Sequence, residues 1–164
     1  MIMNKTDVTV IMVSFYSQSL IEKTINFIDK EIEIIVIENS NSFECKEFLE
    51  KKYQNVKVIL SEENLGNGAG INVGLKNANT KYAFYLDIDT EVQKDTIKNL
   101  LNEASKTDDF ALLAPLVENY EYKKTDYYDD IKAEDSNKRR MNFVPGCAMF
   151  FNIEKIKHIG FFDE

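Results

Sequence analysis

The 164-residue chain is poor in the residues that mark several classes of protein: it has no tryptophan, one histidine, two cysteines and two prolines. Cys45 and Cys147 lie far apart and lack metal-ligand spacing, which argues against a disulfide scaffold and a cysteine-based zinc site. We therefore expect two reduced thiols. The one histidine, His158, belongs to no catalytic pattern, and we expect it at the surface or packed within the fold.

The chain also lacks long apolar runs and large basic clusters. Its apolar stretches, such as residues 8–13, are much shorter than the roughly 20 residues that span a bilayer, and the N-terminus does not have the layout of a signal peptide. Acidic residues outnumber basic ones 28 to 20, which gives a net charge of −8. Because binding to a phosphate backbone requires a basic face, we expect no nucleic-acid partner. We expect a cytoplasmic protein, with the inner face of the membrane as an alternative location.

What the chain does have is an alternation of apolar strands and amphipathic helices. Runs rich in β-branched and aromatic residues predict strands at residues 8–15, 31–37, 56–60 and 82–86. Helical spacing predicts the intervening helices, one beginning after Ser19 and two covering residues 43–53 and 68–78. This alternation is typical of an α/β fold, a Rossmann-like nucleotide-binding domain whose mostly parallel central sheet carries helices on both faces. At this length we expect residues 1–164 to form a single domain.

The later part of the chain is less regular. The apolar pattern predicts a helix at residues 90–104, a strand at 110–117, an extended segment at 143–151 and a short helix at 153–159. Residues 118–140 are almost wholly polar and have no apolar period. We expect this stretch to be a long surface loop and the most mobile internal segment.

Two carboxylates follow the most hydrophobic of the predicted strands. Asp87 and Asp89 come directly after residues 82–86, at what should be the carboxyl end of a buried parallel strand. Ligands of open α/β sheets bind in the crevice outside such ends. Two carboxylates one residue apart can hold a hard divalent cation, which completes its shell with water and substrate phosphate. The alternative is a solvated turn, but the position after the strand favours a metal site.

Two other strand ends should meet the same edge of the sheet. Ser14, Phe15 and Tyr16 follow the first strand, and Glu38 follows the second. An aromatic side chain such as Tyr16 can stack on a base, and a carboxylate such as Glu38 can accept a hydrogen bond from a base or a ribose hydroxyl. For Glu38 the alternative is that it starts a turn. Together these strand ends predict a nucleotide pocket.

A glycine-rich segment, residues 64–70, opens the third predicted helix. It begins at Asn64, and its glycines, among them Gly68, let backbone N–H groups and a helix N-terminus approach a phosphate or a sugar. The segment is not a P-loop because it lacks Gly-Lys-Ser/Thr, and Ile71 occupies the place of the last glycine in a dinucleotide-binding motif. No glycine follows the first strand, which disfavours a nicotinamide or flavin fold.

The order of these segments resembles the family 2 glycosyltransferases of GT-A fold, particularly the rhamnosyltransferase-like members that build bacterial surface polysaccharides. Five segments carry the resemblance: residues 10–17, 34–42, 64–74, 82–91 and 145–164. The resemblance implies an inverting transfer of a sugar from a nucleoside-diphosphate sugar, with Mg²⁺ or Mn²⁺ bridging the diphosphate and the Asp-x-Asp motif. It also implies a saccharide or a lipid-linked saccharide as the acceptor.

Carried over by position, the resemblance implies roles for single residues. Tyr16 and Glu38 would hold the base and the ribose. Asp87 would contact the ribose or the metal, and Asp89 the metal. Glu38 stands where the family usually has Asp. The full set of expected nucleotide-binding residues is Ser14, Phe15, Tyr16, Glu38, Asn64, Gly68 and Asp87.

The general base of the family lies in an acidic motif shortly after the Phe-Asp-Glu segment, and the printed sequence stops at Glu164. We therefore expect the base beyond Glu164, and we expect these residues to hold a donor but to transfer sugar poorly. Asp163 and Glu164 are the alternatives, although we expect terminal residues to be poorly held. We also expect apolar surface to be uncovered near this end, which would favour homo-oligomers, around Phe150, Phe151, Phe161 and Phe162.

Two other functions stay open from the sequence alone. Haloacid-dehalogenase-like phosphatases also carry Asp-x-Asp after an apolar strand, but their motif is Asp-x-Asp-x-Thr on the first strand, whereas Thr90 here comes one residue early. A non-catalytic domain that binds a sugar nucleotide would keep only the donor half. Peripheral association with a membrane is a further alternative.

Overall fold

The computed structural model describes residues 4–107, 109–118, 121 and 143–163. In these residues six strands form one sheet: β1 (Val8–Ser14), β2 (Glu33–Glu38), β3 (Val56–Leu60), β4 (Tyr82–Leu86), β5 (Leu112–Leu113) and β6 (Ala148–Asn152). The strand order is β3-β2-β1-β4-β6-β5. The first four strands are parallel, and β6 runs antiparallel to both β4 and β5. The predicted α/β fold with a mostly parallel central sheet is confirmed.

Helices cover both faces of the sheet: α1 (Gln18–Ile25), α2 (Phe43–Lys52), α3 (Gly66–Asn77), α4 (Thr96–Lys106) and α5 (Ile153–Ile159). Side chains alternate along a strand, so Val10 and Met12 of β1 join one core with α1, α2 and α4. Ile11 joins a second core with α3 and α5 on the opposite face. Because both faces of the central strands are covered, these strands are near-continuous apolar runs in the sequence.

Strand β1 lies at the position in the sheet where the order of successive strands reverses. Strand β2 pairs with one of its edges and β4 with the other. The chain therefore moves to one side of β1 for β2 and β3 and returns on the other side for β4. In open α/β sheets a crevice forms at such a switch point, outside the carboxyl ends of the strands. The ends of β1 and β4 border that crevice.

Two helices begin at different residues from those predicted. Helix α1 begins directly after Ser17, its N-cap residue, and not after Ser19. Helix α4 begins at Thr96, six residues later than predicted. The chain first turns after β4, where the Thr90 N–H donates to the Asp87 carbonyl over 3.0 Å. A second turn, in which the Thr96 N–H donates to the Gln93 carbonyl over 2.9 Å, comes before the helix.

The segments after α4 are shorter than predicted. The strand predicted at residues 110–117 is reduced to β5, since Pro115 has no N–H to donate to a strand ladder. The extended segment predicted at residues 143–151 contains β6 except for its last residue, and the strand begins only at Ala148. The loop predicted at residues 118–140 lies almost entirely outside the described residues. Within the described ranges, no helix combines the length and apolar content needed to cross a bilayer.

The expectation of an uncovered apolar surface near residue 164 was wrong for two of its four residues. Phe150 and Phe151 are buried because β6 is an interior strand of the sheet, between β4 and β5. Phe161 is partly buried, and Phe162 is 38% exposed.

Helix α3 packs against β1 through two glycines one turn apart. A Cβ atom at Gly74 would lie 2.3 Å from Ile11 Cγ2, and one at Gly70 would lie 2.9 Å from Val13 Cγ1. These distances leave no room for a side chain between helix and strand. The close packing brings α3 onto the sheet and its first turn to the carboxyl edge. Gly70, which lies within the predicted helix at residues 68–78, is therefore a packing residue.

We expect Gly74→Ala to lower the free energy of unfolding by about 1–3 kcal/mol, the usual cost of overpacking a core. Ile11 is buried and β-branched, so its Cγ2 cannot easily move aside. Urea denaturation followed by circular dichroism measures the effect. The matched control is Gly68→Ala in the same helix, where a Cβ atom would meet nothing closer than 3.7 Å. The control should keep or raise stability through helix propensity, and equal destabilisation by both variants would contradict the packing role of Gly74.

Candidate functional site

The end of β1 brings three predicted residues to the carboxyl edge. Ser14 is buried, and its hydroxyl has no hydrogen-bond partner among the described residues. Tyr16 is 77% exposed and has a φ of 52°, which is uncommon for a residue other than glycine. The rings of Phe15 and Tyr16 meet edge to face, with 4.6 Å between their centroids. The Ser17 hydroxyl closes the turn by donating to the Phe15 carbonyl over 2.7 Å. An exposed aromatic pair therefore stands at the switch point.

Glu38 lies at the end of β2 and is only 1% exposed. Its Oε1 accepts hydrogen bonds from the Ser40 N–H, over 2.9 Å, and from the Ser40 hydroxyl. Its Oε2 accepts from the Cys45 thiol over 3.7 Å. Burial and the charge of Glu38 raise the pKa of Cys45 to about 11. These bonds show that Glu38 fixes the turn between β2 and α2. A carboxylate has about four lone-pair positions, so the contact of Glu38 with a base or ribose stays a prediction.

The loop before α3 is tied to the end of β2. Asn64 Oδ1 accepts from the Gly66 N–H over 3.0 Å, and Asn39 Nδ2 donates to the Gly66 carbonyl over 3.1 Å. Gly66 has a φ of 73°, a backbone state that favours glycine. Asn39 is buried, and its Oδ1 has no partner among the described residues. The loop and Gly68, in the first turn of α3, thus lie at the same edge as the strand ends.

Asp87 lies directly after β4 and is half-buried. Its N–H donates to the Cys147 carbonyl over 2.9 Å, and its Oδ1 accepts a hydrogen bond from the Tyr85 hydroxyl. Burial raises the pKa of the Asp87 carboxyl above its ordinary value, the bond from Tyr85 lowers it, and the nearby charge of Asp89 raises it. The net shift of the Asp87 pKa is upward, which means that burial makes the ionised form costly. A cation close to the carboxylate would favour the ionised form.

Asp89 is exposed. The backbone between Asp87 and Asp89 is held by a hydrogen bond from helix α1. The buried Thr24 hydroxyl donates to the Ile88 carbonyl. The sequence indicated Thr24 only as part of an apolar helix face. Its hydrogen bond restrains the short segment that carries both Asp87 and Asp89.

A buried asparagine of α3 holds the last described segment of the chain. Asn72 Nδ2 donates to the Phe162 carbonyl over 2.8 Å, and Asn72 Oδ1 accepts from the Phe162 N–H over 3.0 Å. A Cβ atom at Gly68 would lie 3.7 Å from the Asp163 carbonyl oxygen. Asp163, which we expected to be poorly held, thus follows a residue fixed by two hydrogen bonds. Glu164 lies outside the described residues.

The acidic pair fits part of the coordination shell of a hard divalent cation. Asp87 and Asp89 offer carboxylate oxygens, the ligands that Mg²⁺ and Mn²⁺ prefer. Among the described residues, no group of three or more His, Cys, Asp or Glu side chains is placed to hold a metal ion. The pair would therefore supply about two of roughly six ligands, and water and a bound diphosphate would supply the rest.

Comparison with known proteins identifies the family. The sequence profile described as Glycosyl transferase family 2 matches residues 9–159, which include all of the strand ends described above. The chain belongs to glycosyl transferase family 2. Membership agrees with the resemblance seen in the sequence and rules against the phosphatase alternative.

Within family 2, the sequence is similar to the minor teichoic acid biosynthesis protein GgaB of Bacillus subtilis (strain 168), with 34% identity over 89 residues, which is 52% of this chain and 10% of GgaB. The fold is similar to S. aureus TarS 1–349 in complex with UDP-GlcNAc, with a TM-score of 0.71, 19% identity, and coverage of 94% of this chain and 47% of that one. It is also similar to the mannosyltransferase PcManGT from Pyrobaculum calidifontis in complex with GDP-Man and Mn²⁺, with a TM-score of 0.70, 14% identity, and coverage of 96% and 47%. The chain spans a tenth of GgaB and about half of the two solved chains. At these identities the structural matches show a GT-A-like fold.

Sequence reasoning missed the contacts that restrain this candidate site. Tyr85 was part of an apolar strand run, Thr24 was part of an apolar helix face, and Asn72 was given no role. Signals for two of them were present. Tyr85 shares a strand face with Asp87 because side chains alternate along a strand. Thr24 fell on the buried face of its helix, where a polar group needs a partner.

Cys147 provides a test of the geometry around Asp87. Burial raises the pKa of the Cys147 thiol, and the charge of Asp87 raises it further. We expect Asp87→Asn to move the pH midpoint of Cys147 alkylation by iodoacetamide to lower pH, because loss of the negative charge favours the thiolate. Peptide mass spectrometry follows each thiol separately. Cys45, which interacts with Glu38 and not with Asp87, is the internal control and should not change. An unchanged midpoint at Cys147 would show that the carboxylate does not act on the thiol.

Proposed function

We propose that this chain carries the donor site of an inverting, metal-dependent glycosyltransferase. The donor is a nucleoside-diphosphate sugar bound at the carboxyl ends of β1 and β4, and the acceptor is a hydroxyl of a saccharide or a lipid-linked saccharide. The observation that carries the proposal is the half-buried Asp87 beside the exposed Asp89 at the switch point of the sheet.

Asp87 and Asp89 would hold Mg²⁺ or Mn²⁺ together with oxygens of the diphosphate. The complex of PcManGT with GDP-Man and Mn²⁺ supports this choice of cation. When bound, such a cation neutralises the charge that grows on the departing diphosphate. Burial makes the ionised form of Asp87 costly, and this cost is offset when the carboxylate faces a cation.

We assign the base to the exposed aromatic pair of Phe15 and Tyr16. Their edge-to-face contact and the turn that follows β1 restrain the Tyr16 ring in an orientation open to solvent, where it can stack on a base. The first turn of α3 would approach the phosphate or the sugar, since free N–H groups at a helix N-terminus attract anions. Asn64 and Gly68 belong to this part of the site, and the buried Ser14 lies at the end of β1. Glu38 would act through the turn that it fixes.

In an inverting transfer, the acceptor oxygen bonds to the anomeric carbon on the face opposite the diphosphate. The bond between that carbon and the diphosphate oxygen breaks, and its electron pair leaves with the diphosphate. The acceptor proton passes to a general base, for which we assign no residue of this chain.

The relatives suggest which substrates to test first. TarS was solved with UDP-GlcNAc, which supports a UDP-sugar as donor. GgaB is named for teichoic acid biosynthesis, which supports a bacterial surface polymer as acceptor. We include in the proposal a cytoplasmic location, at the inner face of the membrane if the acceptor is lipid-linked.

We expect Mn²⁺ or Mg²⁺ to strengthen the binding of UDP-GlcNAc or UDP by about tenfold or more, because diphosphate oxygens complete a shell that two carboxylates only begin. Asp89→Asn should remove most of this gain. Isothermal titration calorimetry in the presence of Mn²⁺, and separately of EDTA, measures both effects.

The control variant Asp29→Asn removes the same charge far from the site, where Asp29 pairs with Lys5. It should bind the nucleotide as the unmodified protein does. Equal affinity with Mn²⁺ and with EDTA, or full retention of the gain in Asp89→Asn, would contradict the proposed site.

Sugar transfer is tested separately from binding. We expect incubation with donor, Mn²⁺ and a surface-polymer acceptor to give slow transfer at most, because no general base is assigned in this chain, and the anomeric configuration of any product to be inverted relative to the donor. Nuclear magnetic resonance of the anomeric proton determines the configuration. Retained configuration would overturn the inverting mechanism, and rapid transfer would contradict the expectation that these residues lack the general base.

A further inference from the structure

A tyrosine of the core reaches the acidic pair. Tyr85 lies in β4, is fully buried, and packs in the core formed with α3 and α5. Alternation along the strand puts Tyr85 and Asp87 on the same face, and the Tyr85 hydroxyl donates to Asp87 Oδ1. This hydrogen bond therefore restrains a carboxylate of the proposed site from inside the fold.

The same hydroxyl reaches the glycine-rich segment. It lies 2.8 Å from Oδ1 of the Asn67 side chain, which belongs to the first turn of α3. The hydroxyl has one proton, which Asp87 Oδ1 accepts, so the Asn67 amide joins the same hydroxyl when it is turned to donate from Nδ2 to the Tyr85 oxygen. Asn67 stands between Gly66 and Gly68. The glycine-rich segment and the acidic pair, which are separate in the sequence, are thereby joined through one side chain.

We propose that Tyr85 is a positioning residue that orients Asp87 for a cation-bound diphosphate, and that Asn67 supports it from α3; this inference rests on the proposed function. With Oδ1 engaged by Tyr85, Asp87 presents Oδ2 to the ligand. A free carboxylate would rotate between several orientations, whereas this one is restrained by a ring packed in the core. Partners of metal-binding carboxylates commonly change metal affinity by about 10–100-fold when they are removed.

The direct test is Tyr85→Phe, which keeps the buried ring and removes only the hydroxyl. With saturating UDP, the apparent affinity for Mn²⁺ should fall by about 10–100-fold. The affinity for UDP in EDTA should stay within about twofold, because the ring and the base site are unchanged. A purely structural role would weaken both affinities together, so their separation distinguishes positioning from loss of fold.

The matched control is Tyr82→Phe, which removes a hydroxyl from the same strand. Tyr82 is buried like Tyr85 but belongs to the opposite core, with α1, α2 and α4. Its Mn²⁺ affinity should equal that of the unmodified protein. Asn67→Ala provides a second variant at an exposed position, and it should lower the Mn²⁺ affinity in the same direction but by less than Tyr85→Phe.

The outcomes separate this inference from the proposed function. If the unmodified protein gains nucleotide affinity from Mn²⁺ and Asp89→Asn loses that gain, the proposed function stands. If Tyr85→Phe and Asn67→Ala then keep the full Mn²⁺ affinity, the positioning role is overturned. If the unmodified protein shows no Mn²⁺-dependent binding of nucleotide, the proposed function fails and the positioning role fails with it.

Discussion

Helix α3 lies closer to strand β1 than a side chain at Gly70 or Gly74 would allow. Cβ atoms at Gly70 and Gly74 would meet Val13 and Ile11 of the strand at 2.9 and 2.3 Å. Larger residues would push the helix away from the sheet. The first turn of α3 would then move away from the end of β4, where Asn67 contacts Tyr85. The packing of one helix on one strand thus determines whether the glycine-rich segment and the acidic pair can act together.

Three of the polar contacts near the carboxyl edge are made by side chains that are buried in the core. Thr24 reaches the Ile88 carbonyl from α1, Tyr85 reaches Asp87 from β4, and Asn72 reaches Phe162 from α3. All three side chains are buried, so packing limits their movement. Loops that would otherwise be free are therefore restrained by the rigid elements beneath them. This is the arrangement that a binding site needs when its ligands sit on loops.

The fold could be predicted where it depends on local periodicity. The apolar runs gave β1 to β4 to within two residues at either end, because both faces of those strands are covered and their composition is continuous. Two features could not be found in this way. The turn at Thr90, closed by the Asp87 carbonyl, delays α4, and β6 lies antiparallel between β4 and β5. Both depend on contacts between segments, which a local pattern does not contain.

The candidate site, like the fold, could be predicted from the sequence only in part. The sequence indicated Asp87 and Asp89 because they directly follow a buried strand, at the edge where open α/β sheets bind their ligands. It could not decide the role of Glu38, because an acidic residue at a strand end can bind a ligand or start a turn, and the bonds from Ser40 show only that Glu38 starts the turn. The roles of the glycines were harder to predict, because a glycine indicates only that a side chain is not tolerated at its position. Gly66 meets this condition in a turn with positive φ, whereas Gly70 and Gly74 meet it on a helix face against β1. Gly70 and Gly74 therefore do not bind a ligand themselves. Their packing against β1 places the loop around Gly66 at the edge of the sheet.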